Sequence, residues 1–550
     1  MATSYITTPI YYVNDRPHIG HCYSTALADT MARFERLRGR EVFFLTGTDE
    51  HADKVIAKAR ENGMSEQAWV DACAAQFQDA FAMLGIGHDV FYRTSDEHHK
   101  RLAQGYIAEL MAKGDVYLGD YVGWYDASQD EYLTETVAKD AGYKSPVTGV
   151  ALEKRTEKNY FFRLSKYQGA LEKHLAERPG FVLPAERRNE VLGRLRQGLL
   201  DVPVSRALRA GESVWGVLMP GDSAHRVYVW IEALCNYLTA VDMPGRIKFW
   251  PATTHVMAKD ILWFHAVIWP AMLLALGREL PGAVYAHAYW VRDGKKMSKS
   301  LGNFVDLDVI RAYVGRFGAD ALRYYLVTQG PSGSTDSDFS HSKFIETYNA
   351  ELANGIGNAT SRVGNMIDKY FGGVVPAHNG LRLEAGTPGA ETDFATAALA
   401  ARESVLAALE RRDVAAATQQ GIALVRLVDG YINATEPFKL AKRVEAEPAL
   451  RARLGTILYH CAELLRIASV VLSPAMPVKM AQLWQTWNCA PPAAFTATTA
   501  ATTATAAMAA GAGLEELMVF GGAHALVPGT GLTKGEVLFM RADPAEGAPG

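Results

Sequence analysis

Residues 4 to 49 read as a strand, a turn, a helix and a second strand, with two histidines at the turn. Tyr5-Ile6-Thr7-Thr8 is β-branched and aromatic, and Pro9, which has no N–H to donate, is expected to end that strand. From Ile19 onward the apolar positions Leu27, Met31 and Phe34 recur at helical spacing, and Gly39 falls where a helix C-terminus favours glycine. Val42-Phe43-Phe44-Leu45 is then a continuous apolar run, the pattern of a strand buried in a parallel sheet. A βαβ unit of this kind places His18 and His21 at the positive end of a helix, a ready anion site. Gly20, between them, has no side chain to hold a flat base or a ribose away from the backbone.

A second motif narrows the anion. Asp293-Gly294-Lys295-Lys296-Met297-Ser298-Lys299-Ser300-Leu301-Gly302-Asn303 sets Lys296 and Lys299 on a short loop with a glycine on each side. Two ammonium groups there could close over phosphates as point charges. A bare lysine run is usually a solvated loop, and two histidines at a helix start are usually surface residues. Here the loop falls where the second half of a split nucleotide-binding fold would end. Together the motifs point to a triphosphate cleaved between its α- and β-phosphates. Donors aimed at the oxygens that gain charge stabilise the transition state more than the ground state.

At 550 residues the chain should hold three or more domains. We find no apolar run of about 18 residues, so no membrane span is expected. The first residues start a strand with no charged-then-apolar leader, so a cytoplasmic location is expected. Cys22, Cys73, Cys235, Cys461 and Cys489 are scattered and never spaced as C-x-x-C, which suits a reducing compartment. The net charge of -4 is no signature of a nucleic-acid binder. Any RNA contact must come from a local basic face, or from shape and stacking.

The predicted fold class is α/β, with a doubly wound parallel sheet followed by a helical bundle. Residues 1–115 read as the first half of the nucleotide fold and 116–225 as an insertion of short strands, including Lys158-Asn159-Tyr160-Phe161-Phe162-Arg163. Residues 226–310 resume the α/β pattern, 311–345 form a connector, and 346–480 are helical. Leu454, Ile457, Leu458, Cys461, Leu464, Leu465 and Ala468 make a long apolar stripe, closed by Pro474 and Pro477. Residues 481–550 hold an Ala/Thr tract from Ala490 to Gly513, read as a linker, and a tail that could pack back on the body.

With these motifs in view the chain resembles the class I aminoacyl-tRNA synthetases, and within them the methionyl-tRNA synthetases. The residues that carry the resemblance are Thr8-Pro9-Ile10-Tyr11-Tyr12-Val13-Asn14, Leu45-Thr46-Gly47-Thr48-Asp49-Glu50-His51, Trp230-Ile231-Glu232-Ala233-Leu234-Cys235-Asn236-Tyr237 and Ala258-Lys259-Asp260-Ile261-Leu262-Trp263-Phe264-His265, with both motifs above. Asn354 to Arg362 resembles the family's anticodon helix. The likeness runs from about residue 4 to about residue 480, and the motifs are specific in combination.

The resemblance implies ATP-dependent ligation of methionine to tRNA(Met) through a methionyl-adenylate, with Mg²⁺ on the phosphates. It makes 116–225 an inserted connective domain and 346–480 an anticodon-binding domain. It assigns ATP to Tyr11, Asn14, His18, Gly20, His21, Asp260, His287, Trp290, Lys296 and Lys299, with His18, His21, Lys296 and Lys299 catalytic. His287 and Trp290 could equally be plain strand residues. It assigns methionine to Ile10, Tyr12, Asp49, Trp230, Ala233, Leu234, Tyr237, Ile261, His265 and Trp269. Aromatic edges attract a thioether by about 0.3–1.5 kcal/mol per contact, although each aromatic here could instead be ordinary core. Asp49 would hold the substrate ammonium, or Asp49-Glu50 could simply cap a helix. Asn358, Arg362 and Phe438 would read the anticodon; the first two are one helical turn apart and share a face. The partners expected are tRNA(Met), methionine and ATP, with no membrane, and the chain is expected to be a monomer.

The chain departs from the family pattern in three places. The zinc-knuckle positions are Asp126, Gln129, Ser145 and Thr148, with no thiolate or imidazole, so no structural zinc is expected. Glu232 stands where aspartate is usual, and its extra methylene could move a hydrogen bond on the substrate side. Phe438, in Glu436-Pro437-Phe438-Lys439, stands where the family has its stacking tryptophan. Three other readings stay open at this stage: the same chemistry on another apolar amino acid, a silent tRNA-binding relative, and an amide-forming ligase of the same superfamily.

Overall fold

The computed structural model describes residues 2–549 apart from 129–130, 134, 209–210, 212, 293, 298–302, 490–511 and 534. Six parallel strands form the central sheet. β1 (Thr3–Tyr12) is followed by α1 (Ile19–Leu37) and β2 (Glu41–Asp49), and β3 (Val90–Arg93) lies beyond β2. On the other side of β1 come Thr254–Ala258, Val284–His287 and the short edge strand Val182–Leu183. Successive strands therefore leave β1 in opposite directions, which opens a crevice at the C-terminal ends of the central strands.

Pro9 does not end the first strand. β1 runs on to Tyr12, and its pairing with β2 slips between Thr7 and Ile10. A register break there spares the ladder the N–H that proline lacks. The slip sets Ile10 opposite Gly47 and Tyr12 opposite Asp49, so both strands deliver side chains to the crevice. Gly39 ends the crossover as expected, with a φ of 75° just past the helix.

Between β3 and Thr254–Ala258 the chain builds two small antiparallel sheets. One pairs Val116–Asp126 with Glu131–Leu133 and Glu153–Phe162; the other pairs Asp222–Val227 with Leu218–Met219 and Ser205–Ala207. After the lysine loop come the helices Leu307–Phe317 and Ala319–Gln329. A π-wound segment, Tyr348–Gly357, then leads into Asn358–Phe371, with Gly355 leaving helical geometry at the join.

The bundle is completed by Phe394–Glu410, Val414–Thr435, Pro437–Arg443, Leu450–Leu472 and Pro477–Thr486. Among the described residues Leu450–Leu472 alone is long and apolar enough to cross a membrane, and its apolar stretch lies entirely inside the bundle. It also buries the Glu463–Arg466 ion pair at 2.7 Å. Pro477, besides following that helix, occupies the first turn of the next, where a missing N–H costs nothing. The tail returns to the body: Asn349 exchanges two hydrogen bonds of 2.9 Å with the Ala542 backbone, and Phe520, Leu538 and Phe539 are buried.

Candidate active site and RNA-reading face

The first turn of α1 is built by its own histidines. His18 is the N-cap, and its Nδ1 accepts the Gly20 N–H at 3.0 Å. His21 Nδ1 accepts the His18 N–H at 3.2 Å, and the two rings stack with centroids 3.8 Å apart. With both Nδ1 lone pairs engaged, the proton of each neutral ring sits on Nε2. Burial and the neighbouring His18 push His21 well below the ordinary imidazole range, so it is a neutral donor at pH 7. A Cβ on Gly20 would meet His18 Cε1 at 2.9 Å, so only glycine leaves this ring in place.

The segment that follows the lysine loop runs beside this helix start. Lys295–Lys296 pairs with Trp290–Arg292. On the far side the Ile19 N–H donates to the Val305 carbonyl at 3.1 Å, His18 and Asp306 form a β-bridge, and Asp306 caps Leu307–Phe317. Lys299 lies outside the described residues.

The remaining ATP candidates take different positions. Tyr11 is buried, its hydroxyl 2.8 Å from Thr25 Oγ1. Asn14 is half-buried in the turn after β1. Asp260 is exposed, in the turn at the C-terminal end of Thr254–Ala258, next to Tyr289. His287 is committed inside the wall behind α1: Nδ1 lies 2.7 Å from the Ala288 carbonyl and Nε2 2.7 Å from Ser24 Oγ. Burial lowers its pKa to about 4. Trp290 is 6% exposed and packs on Tyr23, Tyr325 and Phe339.

The methionine candidates gather on the other side of the crevice. Tyr12 meets Trp230 edge-on at 5.1 Å, and Trp230 stacks on Phe264 at 4.6 Å. Tyr237 is 2.7 Å from His265 Nε2, and His265 Nδ1 is 3.0 Å from the Ile261 carbonyl. That pattern makes the tyrosine the donor to a neutral imidazole, which burial lowers to about 4. Trp269 lies 6.1 Å from Tyr237, Ala233 and Leu234 are buried, and Ile10 and Ile261 are half-buried.

Asp49, at the end of β2, is 2% exposed, and its Oδ1 has no hydrogen-bond partner. Burial, then the charges of Glu232 and Glu50, raise its pKa well above the carboxylate range. A buried carboxylate with an unused oxygen is costly unless a cation arrives. Neither Asp49 nor Glu50 caps the next helix, Asp53–Glu61, whose N-cap is Ala52. Glu50 is instead gripped by Arg93 at 2.8 and 3.1 Å and by Thr48 at 2.6 Å.

Two histidines at this site, His51 and His99, were not singled out from sequence, and both meet Glu232. Glu232 is fully buried between His51 Nδ1 and His99 Nε2, each at 2.8 Å on a different oxygen. Burial raises its pKa, but the two imidazoles outweigh that and hold it at about 2. Its longer side chain thus faces histidines. His51 lies within a motif already quoted; His99 carries no sequence signal, because it comes from the helix Glu97–Ala112, more than a hundred residues before Glu232.

On the bundle, Asn358 is exposed and Arg362 half-buried on one helix. The Arg362 guanidinium lies 5.9 Å from the Phe438 ring centre, and Phe438 is 37% exposed. In the insertion, Ser128 Oγ reaches Thr148 Oγ1 at 2.6 Å and Ser145 Oγ at 3.4 Å, while its N–H donates to Asp126 at 2.9 Å. Gln129 lies outside the described residues. One carboxylate and neutral hydroxyls hydrogen-bonded around Ser128, with no thiolate or imidazole, are not a structural zinc donor set, so the described residues here do not fit that metal. Among the described residues no group of three or more His, Cys, Asp or Glu is arranged to hold a metal ion.

Residues 4–142 and 139–364 match the family described as tRNA synthetases class I (M). The fold and this match define a class I aminoacyl-tRNA synthetase. Methionine–tRNA ligase of Caldanaerobacter subterraneus is 41% identical over 480 residues, covering 86% of this chain and 72% of that protein. The Streptomyces coelicolor methionine–tRNA ligase is 40% identical, covering 88% of this chain and 90% of its own. Mycobacterium tuberculosis methionyl-tRNA synthetase in complex with methionyl-adenylate superposes with a TM-score of 0.83 at 32% identity, over 98% of this chain and 100% of that one. The chain belongs to the methionine–tRNA ligase family.

Proposed function

We propose that this chain activates L-methionine with ATP and transfers the methionyl group to the terminal ribose of tRNA(Met), with both steps at the C-terminal end of the parallel sheet. The observation that carries the reading is Asp49. Its unpartnered buried oxygen suits the α-ammonium of an amino acid whose side chain lies among Tyr12, Trp230 and Tyr237. An amino acid held there presents its carboxylate toward the start of α1.

In this reading the carboxylate attacks the α-phosphate and pyrophosphate leaves. His18 and His21 Nε2–H groups and the N-terminal amides of α1 meet the charge that develops, and Lys296 and Lys299 close on the leaving phosphates. No side chain acts as a nucleophile; catalysis is positioning and electrostatics. Asp260 takes the ribose hydroxyls, and Tyr11, Asn14, Gly20, His287 and Trp290 shape the nucleotide site. Mg²⁺ comes with the ATP phosphates, since it is ordinarily bound through phosphates, waters and one or two carboxylates. Asn358, Arg362 and Phe438 offer amide, guanidinium and π-face to splayed anticodon bases. The enzyme acts as a monomer in the cytoplasm, with no structural zinc.

ATP–pyrophosphate exchange with each of the twenty amino acids, with Mg²⁺ and without tRNA, tests the reading. Exchange with methionine well above leucine, isoleucine and valine is expected. A different preferred amino acid would overturn the pocket assignment, and no exchange at all would overturn the activity.

A further inference from the structure

Helix Ala319–Gln329 carries a buried charged pair one turn apart, Asp320 and Arg323, and both face the corner where Leu450–Leu472 gives way to Pro477–Thr486. Arg323 is fully buried. Its Nε donates to the Ala475 carbonyl at 3.1 Å, and one terminal nitrogen donates to the Pro474 carbonyl at 2.9 Å. Asp320 accepts the Lys479 N–H at 2.6 Å, in the first turn of the helix that follows. A cation thus meets the carbonyls that leave one helix, and an anion meets one N–H in the first turn of the next. Both contacts complement the helix dipoles.

The same guanidinium reaches the catalytic half. Arg323 donates to Asp29 Oδ2 at 2.6 Å and to the Leu84 carbonyl at 3.2 Å. Asp29 sits inside α1, the helix that opens with His18 and His21, and it also accepts from Arg33 at 2.8 Å and from the Gly87 N–H at 2.9 Å. On the bundle side, Leu450–Leu472 packs on Asn358–Phe371 and on Pro437–Arg443, the helices of Arg362 and Phe438. One side chain therefore bridges the helix that starts the nucleotide site and the helix that backs the RNA-reading face.

We propose that Asp320 and Arg323 are positioning residues for the transfer step: they fix the angle at which the bundle presents a bound tRNA to the adenylate. The inference rests on the proposed function. Adenylate formation uses the crevice alone and is indifferent to this angle. Transfer needs the anticodon and the terminal ribose engaged at once, and a small misplacement of the reacting end costs rate steeply. The anticodon face itself is untouched, so the loss falls on kcat and not on KM for tRNA.

The test measures pyrophosphate exchange and charging of a tRNA(Met) transcript in wild type, Arg323→Lys, Asp320→Ala and Asp320→Asn, each checked for a cooperative melt. A lysine keeps the charge but cannot span Asp29 and two carbonyls together. For Arg323→Lys and Asp320→Ala, exchange within twofold of wild type is expected, with charging kcat down tenfold or more and KM for tRNA within threefold. Asp320→Asn keeps an acceptor for the Lys479 N–H and is expected to charge normally. Parallel loss of exchange and charging, a loss confined to KM, or undiminished charging would overturn the proposal. If Arg323→Lys does not fold, Asp320→Ala against Asp320→Asn decides alone. A wild-type protein without exchange would instead sink the proposed function.

Discussion

His18 and His21 cap α1 for each other: each imidazole Nδ1 accepts a backbone N–H of the first turn, at 3.0 and 3.2 Å, and the rings stack at 3.8 Å. This is the geometry of a capping box with imidazoles in place of the usual hydroxyl and carboxylate. In the proposed function the cap and the phosphate site are one structure. His21→Ala should slow adenylate formation on the order of 100-fold, the loss expected of one transition-state donor. His21→Gln keeps a capping acceptor and an N–H donor and should lose less. Single-turnover adenylate formation checks both, and equal rates for the two variants would separate the cap from the chemistry.

In the proposed function Asp49 makes methionine binding pH-dependent. Its carboxyl titrates above the usual range, and only the ionised form pairs with an ammonium. KM for methionine should rise as pH is lowered from neutral, while KM for ATP stays level. Asp49→Asn should raise KM for methionine on the order of 10- to 100-fold, the worth of a hydrogen bond to a charged group, and should flatten the profile. A profile unchanged by the substitution would remove Asp49 from the substrate site.

Arg362→Ala should impair charging of tRNA(Met) by tenfold or more, as when one paired contact to a base edge is lost, and leave pyrophosphate exchange intact. Phe438→Ala should behave alike, since its half-exposed ring lies beside the Arg362 guanidinium. Equal losses in both assays would make these residues structural.

Asp29 is an acid-sensitive strut. Burial raises its pKa, but Arg33 and Arg323 outweigh that and hold it at about 2, against 3.8 unperturbed. The native carboxylate thus contributes about 2 kcal/mol that is fully present above about pH 4 and is lost as pH falls toward 2. Asp29→Asn should cost about 3–5 kcal/mol at pH 7, because two buried guanidiniums lose their counter-charge. Urea unfolding as a function of pH checks both figures.

The insertion should be indifferent to zinc. Prolonged chelation followed by Mg²⁺ alone should restore full exchange and leave the melting curve unchanged, since Ser128 already joins Asp126, Ser145 and Thr148 by hydrogen bonds. A melt shifted down by chelation and recovered only with Zn²⁺ would refute this.

Much of this molecule was legible from local pattern. The helix from Ile19, the apolar run of β2 and the stripe on Leu450–Leu472 follow from periodicity, because a helix or strand face repeats at short range. Pro9 misled the reading, since a break in pairing that tolerates it is set jointly by two strands. Phe264 was quoted within a motif, yet its stacking on Trp230 needed the fold.

The sequence by itself determined the class of fold, the family and the two motifs that carry the proposed function, because residues within a few positions of each other fix a helix start or a loop. Only the tertiary structure decided the rest. Glu232 meets His51 and His99 from segments far apart in sequence, Asp49 is left with an unused oxygen, and Arg323 joins α1 to the bundle. Those pairings arise when distant segments are buried together, and the charge state and partner of a buried group depend on everything packed around it.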